Sequence, residues 1–341
     1  MKLPSSTRKL LKWARPRAIR LFNWASGKPP ATAEADFTHS LLTPKRMFHI
    51  RDRNHWESEC RRMTMNARLS GDEILCRTLG RYKMIVNAGD KSLAPNLIAD
   101  GYWEIWITAL IARAVEPGMV CIDAGANIGY YTVLMAEHAG PLGKCISAEP
   151  VPETFSYLKK NALLNFGNME LLNLAFGAER GTLTLFMPRG EPKNASVSHV
   201  GELDQAHYER MDVQVQPIDD LDLPRLDFVK IDVEGAERLV WDGMQATIAR
   251  SPDIQIVMEV NAQRTIGIED WLQEISAIFP LCVVDYWGDP VSVTIEQIKA
   301  DPHDVMLYLS KRSFGERLVA AAALAAIKPV DQAPTQPLAP R

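Results

Sequence analysis

Glycines set among carboxylates carry the first chemical signal in this chain. Asp123, Gly125, Asn127 and Gly129 fall within "IDAGANIG" (122–129), and Glu149 follows twenty residues after Gly129. Glycines at 125 and 129 let a backbone turn tightly and a ligand approach closely. A dinucleotide loop of the G-x-G-x-x-G kind would need its first glycine at 123. Asp123 there would oppose a pyrophosphate, at a cost on the order of several kcal/mol for charges ~4 Å apart in a partly shielded site. A cationic ligand reverses that sign. No G-K-[ST] follows, so the stretch is not a P-loop.

S-adenosylmethionine is a ligand of the required kind, with an amine, a sulfonium and no phosphate. Glu149 then falls where doubly wound folds put an acidic residue that accepts hydrogen bonds from ribose hydroxyls. The bland alternatives are a helix N-cap for Asp123 and a solvated strand end for Glu149. Both residues at the right strand ends of one βαβ unit favour the ligand reading.

The elements that must position these residues alternate regularly. "MVCIDA" (119–124) is a continuous apolar run, as in a strand buried on both faces. "YYTVLMAEHAG" reads as a helix closed by Gly140, "KCISAEP" as a second strand, and Pro152 to Asn165 as a second helix. "MELLNLAF" (169–176) reads as a third strand, and "GTLTLFM" with "DVQVQPI" as an inserted hairpin or edge pair. "DFVKIDV" (227–233) is the fourth core strand, with one helix through "AERLVWDGMQATIA" behind it. "IQIVMEV" (254–260), "LCVVDYW" and "DVMLYLS" supply three more. The fold class is α/β: a doubly wound, mostly parallel sheet whose ligand lies at the carboxyl ends of the strands.

"DAGANIGYYT", "AEPVPETFSYLKKN", "PIDDL", "IVMEV" and above all "KIDVEGAE" resemble the FkbM-type methyltransferase family, over roughly residues 95 to 262. The resemblance implies a class I S-adenosylmethionine-dependent enzyme on a Rossmann-like seven-stranded sheet with an antiparallel last strand. It also implies O-methylation of sugars, glycolipids, polysaccharides or polyketides. Carried over to this sequence, Asp123, Gly125, Asn127 and Gly129 look like the loop under the methionine part, and Glu149 like the ribose ligand. Ala175 and Phe176 fall where adenine usually lies, and Glu104 in "GYWE" is placed to reach the methionine amine. Phe176 is equally readable as core, and Glu104 as a surface helix glutamate.

Methyl transfer to an alcohol needs alignment and a general base. The candidates are Asp232, Glu259, His199 and Glu234. Asp232 and Glu259 end adjacent strands. His199 lies in the loop "NASVSHVG" and has a near-neutral pKa in general. Glu234 and Glu237 also suit the N-terminus of a helix, where carboxylates favour the macrodipole. Two or three of these carboxylates could hold a magnesium ion that orients the acceptor; no dedicated metal site is expected. The long polar loop 188–210 reads as an acceptor-binding lid, and the "NAS" sequon within it as chance. Two rival functions share the fold: a nicotinamide-dependent oxidoreductase, disfavoured by Asp123, and a non-catalytic S-adenosylmethionine-binding protein.

The chain of 341 residues is 47% hydrophobic with a net charge of −4, so it is read as globular with no nucleic-acid partner. Its five cysteines are widely spaced, with no C-x-x-C pair, which suits a reducing, cytoplasmic compartment. Residues 1–65 read as a basic extension, 66–311 as the methyltransferase domain, and 312–341 as an alanine-rich helix and a disordered proline-rich tail. Within 1–29, eight Lys and Arg residues and no acid are interleaved with Trp13, Phe22 and Trp24. That composition suits peripheral contact with an anionic membrane surface beside a lipid-linked acceptor, with a transit peptide or an inert extension as alternatives.

Overall fold

The computed structural model describes residues 44–48, 51–188 and 208–327. Before the predicted strands come two helices, Pro44–Met47 and Arg53–Met63. The second starts where the Asp52 side chain accepts a hydrogen bond from the His55 amide at 3.2 Å, satisfying one orphan donor of its first turn. It buries Trp56 and Cys60. An antiparallel sheet follows, of β1 (Asn66–Arg68), β2 (Glu73–Thr78) and β3 (Tyr82–Asn87), in that order. Helices Ala94–Ala99 and Ile105–Ala114 then lead to the main sheet. The second is buried almost all round, so "IWITALIARA" shows no polar face from which periodicity could have read a helix.

The remaining strands are β4 (Val120–Ala124), β5 (Lys144–Ala148), β6 (Met169–Leu172), β7 (Ala175–Phe176), β8 (Gly181–Pro188), β9 (Tyr208–Gln216), β10 (Phe228–Ile231), β11 (Gln255–Val260), β12 (Cys282–Val284), β13 (Pro290–Ser292) and β14 (Val305–Ser310). Eight of them form one sheet in the order β13-β12-β14-β11-β10-β4-β5-β6. Strands β4, β5, β6, β10 and β11 pair in parallel, and β14 runs antiparallel to both its neighbours. From β4 the chain first builds outward through β5 and β6, then returns to the other side with β10. The switch point therefore lies between β4 and β10, and a crevice opens there at the carboxyl ends.

Alternation along the strands divides the interior into two cores. Cys121, Cys145, Phe228 and Val257 face one, together with the helices Ile105–Ala114 and Tyr130–Ala139. Ile122, Ile146, Val229 and Ile256 face the other, with Trp241 and Trp271. Both faces being covered explains the unbroken apolar runs of the sequence.

Three local readings change. "MELLNLAF" is two strands, because Asn173 donates to the carbonyls of Glu149 (2.9 Å) and Pro150 (3.1 Å) and marks the break between them. Ala175 and Phe176 leave the main sheet and join β8 and β9 in a sheet ordered β7-β9-β8. The helix behind β10 divides into Glu237–Asp242 and Gln245–Arg250 at Gly243, where a Cβ would meet the Gly177 carbonyl oxygen at 1.9 Å. The main sheet holds eight strands rather than seven, since β13 folds back on β12 as an edge. The alanine-rich helix spans Phe314–Ile327. The basic segment 1–29, the proline-rich tail, and residues 189–207 with His199 lie outside the described residues. No helix among the described residues is long and apolar enough to cross a membrane.

Candidate cofactor and active site

The turn after β4 is built by close approach. Gly125 has φ +80°, and a Cβ there would lie 1.9 Å from the Asp232 carbonyl oxygen, so only glycine lets β4 and β10 end side by side. Gly129, at φ +92°, opens helix Tyr130–Ala139 over Leu158, which a Cβ would strike at 2.7 Å. Between them the Asn127 amide donates to Glu149 Oε2 at 3.0 Å, and the Val151 amide donates to Oε1 at 2.9 Å. One carboxylate thus joins the loops after β4 and β5. Glu149 is buried, and that burial pushes its carboxyl up to about 7 against the two amides that favour its charge.

A cleft enclosing about 1140 Å³, its open mouth included, lies over these loops. It brings together nine of the predicted residues: Glu104, Gly125, Asn127, Glu149, Ala175, Phe176, Asp232, Glu234 and Glu259. Its lining is mixed. Val151, Ala175, Phe176, Leu183 and Leu185 are among its apolar residues. Glu104, Asp232, Glu234 and Glu259 supply carboxylates to the rest of the lining, with Lys230 as its one cation among the described residues.

Asp123 and Gly129 are not among the lining residues. Strand alternation turns Asp123 into the core, where it is 1% exposed and its Oδ2 accepts from Thr132 Oγ1 at 2.6 Å. Its Oδ1 is buried with no hydrogen-bond partner. Burial pushes this carboxyl up, opposed by the charge of Lys230 and the Thr132 hydroxyl. Asp123 supports the loop from behind. It is the carboxylates lining the cleft, rather than Asp123, that would oppose a pyrophosphate there.

Lys230 was not singled out from the sequence, although a lysine inside "FVKI" is a legible anomaly. It pairs across the sheet with Asp123, and its Nζ donates to Asp232 Oδ2 at 2.8 Å. Tyr131 places its ring 4.8 Å from the same Nζ and donates its hydroxyl to Glu104 Oε2 at 2.8 Å. Burial works against the ammonium, but Asp232, Asp123 and Glu104 outweigh it and hold Lys230 up at about 12. Glu259 is pushed up to about 8, by burial first and then by the charges of Asp232, Glu234, Asp304 and Glu237. Glu237 turns back on its own loop and accepts from the amides of Val233 and Gly235, both at 3.1 Å. That is the helix-start role its position suggested.

Backbone strain concentrates here as well. Glu104 (φ +35°), Asn127 (φ +50°) and Glu234 (φ +53°) are left-handed without being glycine, and all three line the cleft. Such residues cost of order 1–3 kcal/mol each and persist where the surroundings over-determine them. Among the described residues no group of three or more His, Cys, Asp or Glu side chains is arranged to hold a metal ion.

The family model described as Methyltransferase FkbM domain matches residues 123–316, more than half of the chain. "Methyltransferase 1" of Beauveria bassiana is 29% identical over 143 residues, covering 36% of this chain and 57% of that protein. "Methyltransferase sdnD" of Sordaria araneosa is 28% identical over 156 residues, covering 36% of this chain and 59% of that protein. The chain thus spans less than two thirds of the length of either relative. Among solved structures, a methyltransferase FkbM from Methylobacillus flagellatus is 16% identical with a TM-score of 0.36, over 57% of this chain and 44% of that one. M. jannaschii TYW2 in complex with AdoMet is 13% identical with a TM-score of 0.37, over 71% and 86% of the two chains. The family model extends from Asp123 through the Asp232 loop and Glu259 to the helix that begins at Phe314, and on that match this chain belongs to the FkbM methyltransferase family, with S-adenosylmethionine as its cofactor.

Proposed function

We propose that the protein transfers a methyl group from S-adenosylmethionine to a hydroxyl of a sugar, glycolipid or polysaccharide. The observation that carries the reading is the composition of the cleft, whose lining joins apolar Ala175, Phe176, Leu183 and Leu185 to Glu149 and to carboxylates that include Asp232, bonded to Lys230. In this assignment Ala175, Phe176, Leu183 and Leu185 take the adenine, and Glu149 takes the ribose hydroxyls. The Gly125–Asn127 backbone lies under the methionine part, with Glu104 toward its amine. Glu149 fits because each carboxylate oxygen holds one backbone amide and keeps acceptor capacity for a hydroxyl.

When bound, the cofactor supplies an electrophilic methyl group on a sulfonium that leaves well. The chain's own task is to align an acceptor oxygen with that carbon and to take its proton. Glu259 is the base we favour. Its raised pKa makes it the stronger proton acceptor once ionised, whereas Asp232 is held in an ion pair by Lys230. Glu259 would take the proton of an acceptor hydroxyl held in line with that methyl group. Glu234, on the strained turn beside it, remains a second candidate, and His199 a third. We take the polar segment 188–210 as the part that covers the acceptor, and residues 1–29 as a peripheral contact with an anionic membrane.

The test is incubation of the protein with cell fractions and methyl-labelled S-adenosylmethionine, with the label sorted into lipid, polysaccharide, protein and small molecules. Label in lipid or polysaccharide is expected. Label confined to protein would sink the glycan reading, and cofactor binding without transfer to any fraction would favour the non-catalytic alternative.

A further inference from the structure

Lys230 is a costly residue for its place. Its side chain is 2% exposed, on a strand whose four residues are all buried. Replacing a buried ion pair by apolar groups of similar volume is often neutral or stabilising, so packing alone gives no reason for a lysine here. What the ammonium touches supplies one. Lys230 and Asp232 stand two residues apart on one edge of the switch point, both line the cleft, and a 2.8 Å bond from Nζ holds the Asp232 carboxylate. The same Nζ lies over the ring of Tyr131, whose hydroxyl donates to Glu104 Oε2. Asp123 stands across the sheet from it as a further counter-charge. Asp232 and Glu104 come from distant segments, at the end of β10 and at the start of helix Ile105–Ala114. A single buried cation connects them.

We propose that Lys230 is a positioning residue: it sets Asp232 directly, and Glu104 through Tyr131, as the pair of carboxylates that receives the cationic methionyl end of the cofactor. This rests on the reading of the cleft as an S-adenosylmethionine site. It adds that the methionyl end is recognised by an arrangement Lys230 holds in place, while the adenosine end is recognised independently of it. Leu183 and Leu185 lie on β8, in a different sheet from Lys230, and Glu149 is fixed by backbone amides of Asn127 and Val151. Loss of Lys230 therefore divides the ligand in two.

Calorimetric titration with two probes tests that division: S-adenosylmethionine, and 5′-methylthioadenosine, which has the nucleoside but neither the amino-acid end nor the sulfonium. Lys230→Met alone strands several carboxylates and risks misfolding, so the decisive variant is Lys230→Met with Asp232→Asn, which neutralises the pair together. The double variant is expected to bind S-adenosylmethionine at least tenfold more weakly than the wild type. It should bind 5′-methylthioadenosine within threefold of it. Asp232→Asn alone, which keeps Lys230 against Tyr131 and Glu104, is expected to bind S-adenosylmethionine at least threefold better than the double variant. Tyr131→Phe, which removes only a hydroxyl, should again weaken S-adenosylmethionine alone. Equal loss for both probes makes the pair merely structural and overturns the proposal. So does unchanged S-adenosylmethionine binding, or a double variant no weaker than Asp232→Asn. A wild-type protein that binds neither probe fails the cofactor reading itself, a separate result.

Discussion

The Asn127 amide donates to Glu149 Oε2 at 3.0 Å, across a gap of 22 residues in the chain. A buried carboxylate thus fixes the glycine turn while keeping lone pairs for a ligand. Glu149→Ala should remove both functions. Lost hydrogen bonds to two ribose hydroxyls cost ~1–3 kcal/mol, or roughly ten- to hundredfold in affinity for S-adenosylmethionine. Calorimetry returning the wild-type affinity would take Glu149 out of the site.

The same carboxyl makes stability depend on pH. Glu149 is raised from 4.5 to about 7 in the fold, so the native state keeps a proton that the unfolded chain releases earlier. Its contribution is fully present below about 4.5 and is lost as pH rises through about 7. The loss is on the order of 3 kcal/mol at 1.36 kcal/mol per pKa unit. Urea unfolding of the ligand-free protein at pH 5, 6, 7 and 8 should show falling stability. Glu149→Gln, which cannot ionise, should flatten that slope.

Glu259 gives a kinetic counterpart. With its carboxyl at about 8, the ionised base accumulates only as pH rises, so methyl transfer should climb through that region. Glu259→Gln should abolish the rise and lower the rate by ~10²–10⁴-fold, the usual worth of a general base. A rate–pH curve of unchanged shape in that variant moves the base to Glu234 or His199.

Gly125→Ala probes the switch point mechanically. The new methyl would lie 1.9 Å from the Asp232 carbonyl oxygen on a backbone with φ +80°. The left-handed backbone alone costs of order 1–3 kcal/mol, and the clash adds to it. Denaturant unfolding should register that loss, and cofactor affinity should fall with it because β10 must move. Gly140→Ala is the control: its φ is +66°, but nothing lies within 4 Å of the added Cβ. It should be destabilised less and bind normally.

The basic segment 1–29 is tested by sedimentation with vesicles containing anionic lipid. Each Lys or Arg near such a surface is worth about 1 kcal/mol, so several together should bind reversibly and in a salt-sensitive way. Full-length protein should pellet at low salt and be released at high salt, and protein lacking 1–29 should stay in solution. Equal behaviour of the two removes the membrane role.

The alternating sheet, the glycine turn and the carboxylates at three strand ends are legible in the sequence. Each is a local signal: an apolar run covered on both faces, a glycine a few residues past a strand, an acid where the strand stops. The sequence therefore reached Gly125, Asn127, Glu149, Asp232 and Glu259, which the fold gathers at one cleft. Tertiary packing settled where Asp123 goes: it is buried in the core, while Gly125, Ala126 and Asn127 a few residues on line the cleft. The lysine in "FVKI" is a visible anomaly, but its partners and those of Tyr131 come from β4, β10 and the start of the helix at Ile105, which meet only in the fold. It alone broke the third strand at Asn173 and the helix at Gly243, through carbonyls of Glu149, Pro150 and Gly177. Hydrogen bonds and steric limits of that kind depend on distant segments meeting, and no periodicity within a window records them.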